Sequence, residues 1–344
     1  MLKLALALTT ALVATPALAA TVTSQAKLVD QSPLTPGIIV NKAVTTPQAK
    51  KGTVLFDCGS TQAPFVYGVG SADACPAPPE VINGASSKSD TLYGRNGVLA
   101  LDKCRPARVV NPYRVVETYS SSVYKNVTCS GLVGEGIKRD GIRLKGTLEN
   151  VTIENFKFTH EDTPSVPPHL PEGIAISAGK NITIRNGESS GFRMTMTGYV
   201  NGDAYASERA VNGLRFENTI GRNSSDGCYD LKSKNTVMVN TFAYNCSRNY
   251  RFWGTGVAEK ITSEDARLWH VGLYSASMKW QIKKIVVRST TKAAIFHSES
   301  KGPGTSFIVD PGACDIIAPL GTKLFEGSKT ETFVIPSDCV IRQK

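Results

Sequence analysis

Apolar and polar residues alternate in short runs along most of the chain, which is the pattern of half-buried β-strands. From about residue 120 the runs open on a recurring asparagine, with spacings of 24, 31, 31 and 23 residues. These runs are Asn126-Val-Thr-Cys, Asn150-Val-Thr-Ile, Asn181-Ile-Thr-Ile, Asn212-Gly-Leu-Arg-Phe and Asn235-Thr-Val-Met-Val. A second short strand follows in each repeat, as at residues 141–145 and 173–177. Repeats of this length with two or three short strands each predict a β-solenoid.

The predicted fold class is all-β: a single right-handed parallel β-helix over residues 81–310, with an irregular N-terminal cap over 20–80 and a C-terminal cap over 311–344. Almost no segment has helical periodicity long enough for a crossover helix, which disfavours a βα fold. We expect Asn150, Asn181, Asn212 and Asn235 to stack at one corner and to hydrogen-bond from turn to turn. A β-sandwich is the competing fold, and in it the asparagines would not recur.

Residues 1–19 have the features of a secretory signal peptide: one lysine, a short apolar run and small residues at the end. We therefore expect a secreted or periplasmic protein. Beyond that segment no stretch of 18 apolar residues predicts a transmembrane helix. The 8 cysteines fit an oxidising compartment. Pairing between sequence neighbours predicts the disulfides Cys58–Cys75, Cys104–Cys129, Cys228–Cys246 and Cys314–Cys339, although other connectivities are possible.

The chain carries 39 Lys and Arg against 29 Asp and Glu, a formal net charge of +10. This excess indicates an anionic partner: nucleic acid, an anionic membrane surface or an acidic polysaccharide. Export argues against nucleic acid. With the site residues described below, we expect an acidic polysaccharide as the partner, and we expect the protein to be a monomer.

Strand alternation assigns side chains to two outward columns. The first contains Arg143, Ala175, Ala206, Asp230 and Arg251, and the second contains Lys145, Ser177, Glu208, Lys232 and Trp253. Because successive turns lie about 4.8 Å apart, Asp230 should contact Arg251, and Glu208 should contact Lys232. One interpretation is a solvated face with ion pairs worth roughly 0–1 kcal/mol each. The other is a sugar-binding face, since an exposed tryptophan beside Lys and Arg is typical of a sugar subsite.

Three aspartates, Asp203, Asp226 and Asp230, are predicted to meet at one corner of this face. Such carboxylates repel one another unless a cation lies between them, and Ca²⁺ prefers six to eight oxygen ligands. Asn223, Ser225 or water would complete the set. Alternatively, Asp203 and Asp226 are ordinary turn residues, because each adjoins a glycine.

The region around these residues resembles the core of the family-nine pectate lyases, which are parallel β-helices that cleave polyuronates by β-elimination. The resemblance rests on Asn201-Gly-Asp-Ala-Tyr-Ala, Asn212-Gly-Leu-Arg-Phe-Glu-Asn, Arg222-Asn-Ser-Ser-Asp-Gly-Cys-Tyr-Asp-Leu and Asn249-Tyr-Arg-Phe-Trp-Gly. It implies that Asp203, Asp226 and Asp230 bind Ca²⁺, and it places Arg251 where the family has its catalytic lysine. The chain departs from the family in having Ser225 instead of an aspartate and one residue inserted between Asp226 and Asp230.

The predicted function is therefore that of a secreted polysaccharide lyase, with Arg251 or Lys232 as the base. The predicted substrate-binding residues are Arg143, Lys145, Glu208, Arg248 and Trp253. Water, Tyr205 or Tyr229 would protonate the leaving oxygen, although alternation turns Tyr229 inward. A C5-epimerase would begin with the same proton abstraction. The same residues also fit a glycoside hydrolase that uses the three aspartates, or a non-catalytic module that binds an acidic glycan or the cell envelope.

Overall fold

The computed structural model describes residues 54–56, 66–68, 80–83, 99–164, 170–194, 200–274, 278–299, 306–327 and 333–343. The predicted signal peptide and the predicted Cys58–Cys75 disulfide lie outside these residues. Within them, no helix is long and apolar enough to cross a membrane.

The chain coils into a parallel β-helix, in which each full turn adds a strand to each of three parallel sheets. Sheet A contains Arg114–Glu117, Asp140–Leu144, Gly227–Leu231, Arg248–Phe252, Trp269–Leu273, Ala294–Ser298 and Phe325–Gly327. Sheet B contains Val123–Ser130, Thr236–Val239, Thr255–Ala258, Lys279–Ile282, Ser306–Val309 and Phe333–Val334. Sheet C contains Glu80–Asn83, Ala107–Val110, Leu132–Ile137, Thr241–Tyr244, Ile261–Glu264, Ile285–Arg288, Cys314–Ala318 and Ile341–Gln343.

Three long strands pass through the corners and join the sheets. Thr147–His160 belongs to sheets B and C, while Glu172–Ser190 and Asp203–Arg222 cross all three sheets. Val54–Phe56 and Val66–Gly68 form a separate antiparallel pair, and Leu101–Lys103 is a single turn of 3₁₀ helix. This architecture confirms the predicted parallel β-helix.

The coil continues past the predicted boundary at residue 310. Cys314–Ala318 pairs in parallel with Ile285–Arg288, and Ile341–Gln343 pairs in parallel with Cys314–Ala318. These strands escape a sequence-based search because the last turns lack the corner asparagines that mark the earlier repeats.

The interior is filled by stacked aromatic rings from successive turns of sheet A. Tyr205 stacks on Tyr229 at 4.8 Å, and Tyr229 stacks on Tyr250 at 5.0 Å. The hydroxyl of Tyr205 donates to the carbonyl of Ile220 at 2.9 Å, inside the core. Tyr229 therefore faces inward as predicted, and the suggestion that Tyr205 is a proton donor to substrate is wrong.

Three disulfides join neighbouring turns as the sequence spacing predicts. They are Cys104–Cys129, Cys228–Cys246 and Cys314–Cys339, with Cα–Cα distances of 4.9, 5.5 and 5.0 Å. Each is within the range that a disulfide requires.

Asparagines form a ladder at the corner before sheet B, with one correction to the prediction. Asn150, Asn181 and Asn235 have left-handed φ values of 53°, 52° and 53°. Asn181 donates to Asn150 at 3.1 Å, but the register places Asn212 one position earlier. Gly213, with φ 73°, takes the corner there because glycine also adopts this conformation. Asn212 still accepts a hydrogen bond from Asn235 at 2.8 Å.

A second asparagine ladder, which the sequence pattern did not predict, lies at the corner between sheets B and C. Asn155, Asn186, Asn218 and Asn240 have φ values of 53°, 55°, 50° and 53°. Asn218 donates to Asn186 at 3.3 Å, and Asn240 donates to Asn218 at 2.9 Å. Asparagine suits these corners because it tolerates the left-handed conformation and its amide both donates and accepts.

We expect replacement of Asn218 by alanine to destabilise the fold more than replacement by glycine. Both variants lose the two ladder hydrogen bonds, but only alanine adds the strain of left-handed backbone, about 1–2 kcal/mol. Denaturant unfolding of both variants measures the difference. Equal free energies of unfolding would show that the corner conformation costs little.

His270 is a fully buried titratable group in the interior. Its Nδ1 lies 2.7 Å from the hydroxyl of Ser263, and both residues are 0% exposed. Burial lowers the pKa of His270 to about 3. The folded protein therefore keeps this ring neutral at a pH where the unfolded chain, with a pKa of about 6.5, binds a proton.

Stability should consequently fall as the pH drops below about 6.5 towards 3. Between pH 7.5 and 5, we expect wild type to lose roughly 2 kcal/mol more than His270→Gln, because a glutamine cannot titrate. Denaturant unfolding of both proteins at the two pH values measures this difference. If both proteins lose the same amount of stability between the two pH values, His270 is not the cause of the pH dependence.

Candidate functional site

The outward face of sheet A carries the predicted site residues in the predicted order. The pairing register aligns Arg143, Ala175, Ala206, Asp230 and Arg251 in one column. Lys232 lies one turn beyond Glu208, and its Nζ is 2.7 Å from Glu208 Oε1. Both contacts predicted from alternation, Asp230 with Arg251 and Glu208 with Lys232, are present.

A third column, which strand alternation did not predict, lies at the start of the same strands. It runs Arg114, Asp140, Glu172, Asp203, Gly227, Arg248 and Trp269. Acidic residues thus occupy three successive turns. Arg114 lies directly before them, and Arg248 follows one turn after Gly227. The blurred alternation around residues 203–209 hid this column in the sequence.

Asp226 lies at the centre of a buried ion-pair cluster. Its Oδ2 accepts a hydrogen bond from Arg251 Nη1 at 2.7 Å, and its Oδ1 accepts one from Arg248 Nη1. Arg251 Nη1 is also 3.6 Å from Asp230 Oδ2. Since Asp226 is 1% exposed and Arg251 is 7% exposed, these charges are compensated inside the protein rather than by water.

Asp230 links this cluster to the exposed edge of the face. Its Oδ1 accepts a hydrogen bond from the indole Nε1 of Trp253 at 2.6 Å, and its Oδ2 lies 3.8 Å from Lys232 Nζ. Asp230 therefore contacts both Lys232, which is nearer to solvent, and the buried Arg251.

Aromatic rings cover the arginines. The Arg251 guanidinium lies 4.8 Å from the Tyr274 ring centre, and Tyr274 stacks on Trp253 at 4.7 Å. Arg248 lies 4.8 Å from the Trp269 ring centre. One face of Trp253 is thus occupied by Tyr274, which leaves less of the ring for a sugar than the sequence suggested. Tyr274 and Trp269 were missed because no motif surrounds them and only the register brings them here.

A further charged group lies at the N-terminal end of the face, around Asp140. Arg114 Nε is 2.5 Å from Asp140 Oδ2, and Arg143 Nη1 is 3.5 Å from the same oxygen. Arg143 also lies 3.4 Å from Glu172, and Lys145 lies 3.4 Å from Glu117. The predicted substrate-binding residues Arg143 and Lys145 are therefore part of an ion-pair network.

Three carboxyl groups of the site, those of Asp203, Asp230 and Glu172, have raised pKa values. Burial, followed by the nearby charges of Asp226 and Asp230, raises the pKa of Asp203 well above its ordinary value. Burial also raises the pKa of Asp230, although Arg251 and Lys232 oppose the shift. Burial and the charge of Asp140 raise the pKa of Glu172 to about 7. Perturbed carboxyl groups on one face are typical of a functional site.

The two predicted bases are shifted towards their protonated forms. Burial opposes the charge of Arg251, but Asp230, Asp226 and Asp203 together raise its pKa. The pKa of Lys232 is also raised, by Asp230 and Glu208 against the effect of burial. At neutral pH both side chains are cations.

The aspartates fit Ca²⁺ poorly in this arrangement. Both oxygens of Asp226 are bonded to guanidinium groups, and an oxygen of Asp203 accepts the backbone N–H of Gly227 at 2.6 Å. Across the described residues, no group of three or more His, Cys, Asp or Glu side chains is arranged to hold a metal ion. Arg251 supplies the positive charge that the sequence analysis assigned to calcium, and calcium binding stays a prediction.

Several buried polar atoms of the site lack a hydrogen-bond partner among the described residues. The Nε donors of Arg143, Arg248 and Arg251 make no hydrogen bond there, and the acceptor Oδ1 of Asp140 receives none. An unpaired buried polar atom is costly, so ordered water is expected at these positions.

No family model, no curated protein and no solved structure matches this chain. The chemistry of the site must therefore be argued from its own geometry.

We expect Asp226→Asn to destabilise the protein by about 3–5 kcal/mol, because it leaves two guanidinium groups without their carboxylate. Denaturant unfolding measures the loss. Glu259→Gln is the matched control, since Glu259 pairs with Lys283 at 2.9 Å on the exposed surface. The control should change stability by less than about 1 kcal/mol. Similar effects of the two substitutions would show that Asp226 is not the centre of a buried cluster.

Proposed function

We propose that this protein is a secreted enzyme that cleaves an acidic, uronate-containing polysaccharide by β-elimination. The observation that supports this most strongly is the set of cations beside carboxyl groups of raised pKa on one face of the β-helix. Arg143, Arg248 and Lys232 keep part of their side chains exposed there, and arginine binds carboxylates through parallel hydrogen bonds.

The first requirement of β-elimination is neutralisation of the C6 carboxylate, which makes the C5 proton acidic. Arg251 and Lys232 suit this role because their raised pKa values keep them charged. Lys232 is the more accessible, with 27% of its side chain exposed against 8% for Arg251. We therefore place the substrate carboxylate next to Lys232, with Arg251 behind it.

The second requirement is a base for the C5 proton. Arg251 and Lys232 are the bases predicted from the sequence, but both must first lose a tightly held proton. Asp230 is the better candidate in this arrangement, since a raised pKa makes a carboxylate a stronger base. Aspartate serves as the base for protons next to a carbonyl group in other enzymes.

Hydrolysis of the glycosidic bond is the second candidate reaction. It is favoured by a specific observation: Asp203 and Glu172 are carboxyl groups that hold a proton more tightly than usual. A hydrolase needs one protonated and one ionised carboxyl group, and Asp230, which lies beside Arg251 and Lys232, is the candidate for the ionised one. The products distinguish the reactions, because only elimination creates a C4=C5 double bond.

The direct assay is a screen of polyuronates and glycosaminoglycans for unsaturated products by ultraviolet absorbance and for new reducing ends. New reducing ends without absorbance would indicate hydrolysis. Salt-sensitive binding without cleavage would favour a binding module, and exchange of the C5 proton without cleavage would indicate an epimerase. Parallel reactions with Ca²⁺ and with EDTA test the predicted calcium dependence.

A substrate whose carboxylates are methylated distinguishes the two roles of Lys232. If Lys232 neutralises the carboxylate, Lys232→Ala should lower kcat/KM on the polyuronate about 10- to 100-fold, as for a lost charged hydrogen bond. The same variant should be close to wild type on the methyl ester, which needs no neutralisation. If Lys232 is the base, the loss should be roughly 10²–10⁴-fold on both substrates.

Lys283→Ala is the control for this experiment, because Lys283 also pairs with a glutamate but is exposed outside the site. It should leave both rates unchanged. Wild-type rates for Lys232→Ala on both substrates would place the reaction elsewhere on the protein.

A further inference from the structure

The outward face of sheet A changes in character along the axis of the β-helix. Its earlier turns carry cations that keep part of their side chains exposed: Arg143, Lys145, Lys232 and Arg248. The next two strands of the sheet, Trp269–Leu273 and Ala294–Ser298, contain no lysine or arginine. The cations that suit an acidic sugar are therefore confined to one part of the face.

Aromatic rings take the place of charged groups around Gly272. This residue lies in register with Arg251 on the preceding turn and with His297 on the following turn. A Cβ atom on Gly272 would lie 2.4 Å from Trp269 Nε1 and 2.7 Å from Tyr274 Cε2, so the two rings approach the backbone too closely for any side chain. The surface over Gly272 is consequently formed by aromatic rings.

Trp269 presents its polar edge to this surface. One face of the ring is covered by Arg248 at 4.8 Å, and His297 stacks on the ring at 4.0 Å. Trp269 is 9% exposed, and its Nε1 has no hydrogen-bond partner among the described residues. Because this donor faces the outward position of Gly272, a sugar hydroxyl or an ordered water can accept its hydrogen bond there.

Glu299 makes the far side of this surface unfavourable for a carboxylate. Its backbone N–H donates to the carbonyl of Leu273 at 3.0 Å, which places it one turn beyond Tyr274. Its side chain is 53% exposed, and its only ion-pair contact among the described residues is with His297, at 3.6 Å. A negatively charged sugar over Gly272 would therefore be repelled by Glu299.

We propose that the sugar bound over Gly272 is uncharged, whereas a nearby residue of the same polymer places its carboxylate against Lys232. Gly272 lies two turns beyond Asp230, about 10 Å along the axis, so a polymer extended along the face reaches both positions. This inference rests on the proposed function and deepens it by naming the substrate class, a mixed polymer of uronates and uncharged sugars. The uncharged residue is a neutral sugar or an esterified uronate, since both offer hydroxyls to Trp269 and no charge to Glu299.

Three polymers test this inference on the wild-type protein: a homopolyuronate, the same polymer with part of its carboxyl groups methyl-esterified, and a polymer in which uronates alternate with neutral sugars. At least one mixed polymer should have a kcat/KM about two- to fivefold above that of the homopolymer, the range for one exposed charge interaction. A preference for only one of them identifies the source of the uncharged residue. If the polymers bind without being cleaved, the same comparison applies to their dissociation constants.

Substitution of Glu299 isolates the charge effect. Glu299→Gln should raise kcat/KM on the homopolymer about two- to fivefold, and Glu299→Lys should raise it further, because attraction replaces repulsion. Neither variant should change the value on the preferred mixed polymer. Glu259→Lys is the matched control, since it changes the net charge equally at an exposed glutamate outside sheet A that pairs with Lys283 at 2.9 Å. It should leave all three values unchanged.

The outcomes separate this inference from the proposed function. If wild type cleaves the homopolymer as well as both mixed polymers and Glu299→Lys leaves their ratio unchanged, the sugar over Gly272 is not selected for lack of charge, although the proposed function stands. An equal rise on all three polymers in Glu299→Lys would show a general charge effect and would also overturn the inference. If wild type neither cleaves nor binds any of the three, the inference falls together with the proposed function.

Discussion

The stacking of each turn on the next at about 4.8 Å is the constraint on which the rest of this structure depends. Once the register is set, every residue has fixed neighbours above and below it. Asparagines in left-handed conformation set that register at the corners, as at Asn181 and Asn218, where the side-chain amides also bond from turn to turn. Aromatic rings such as Tyr229 and Tyr250 then stack inside the coil at the same spacing.

The same constraint creates the chemistry of sheet A. Parallel stacking brings like charges together, and the fold must compensate them or leave them protonated. Two arginines from the next turn compensate Asp226, whereas Glu172 and Asp203 lie in a column with too few cations. The result is a face that combines carboxyl groups of raised pKa with the buried positive charge of Arg251. That combination is costly for a purely structural surface and useful for a reaction on an acidic sugar.

Strand alternation was enough to predict the parallel β-helix and the column that contains Asp230 and Arg251. The alternation of apolar and polar residues within a strand can be recognised without knowing where the turns are. Local spacing also predicted three disulfides. The column through Glu172 was not predictable, since it depends on register across turns of unequal length. Tyr274 was missed for the same reason, and the ion pairs that occupy Asp226 depend on side-chain geometry that no spacing encodes. The difference between Asn212 and Gly213 at the corner is a register difference of one residue, which a pattern of asparagines alone cannot resolve.

The central claim is that the face of sheet A is built to hold a carboxylate-bearing sugar polymer. Calorimetric titration with a cleavable polyuronate, and with the same polymer after chemical reduction of its carboxylates to alcohols, tests this claim most directly. The acidic polymer should bind, and its affinity should fall steeply with added salt. The reduced polymer should bind at least tenfold more weakly, since each lost charged contact is worth about 1.5–3 kcal/mol. Equal binding of the two polymers, or binding that salt does not weaken, would contradict this claim.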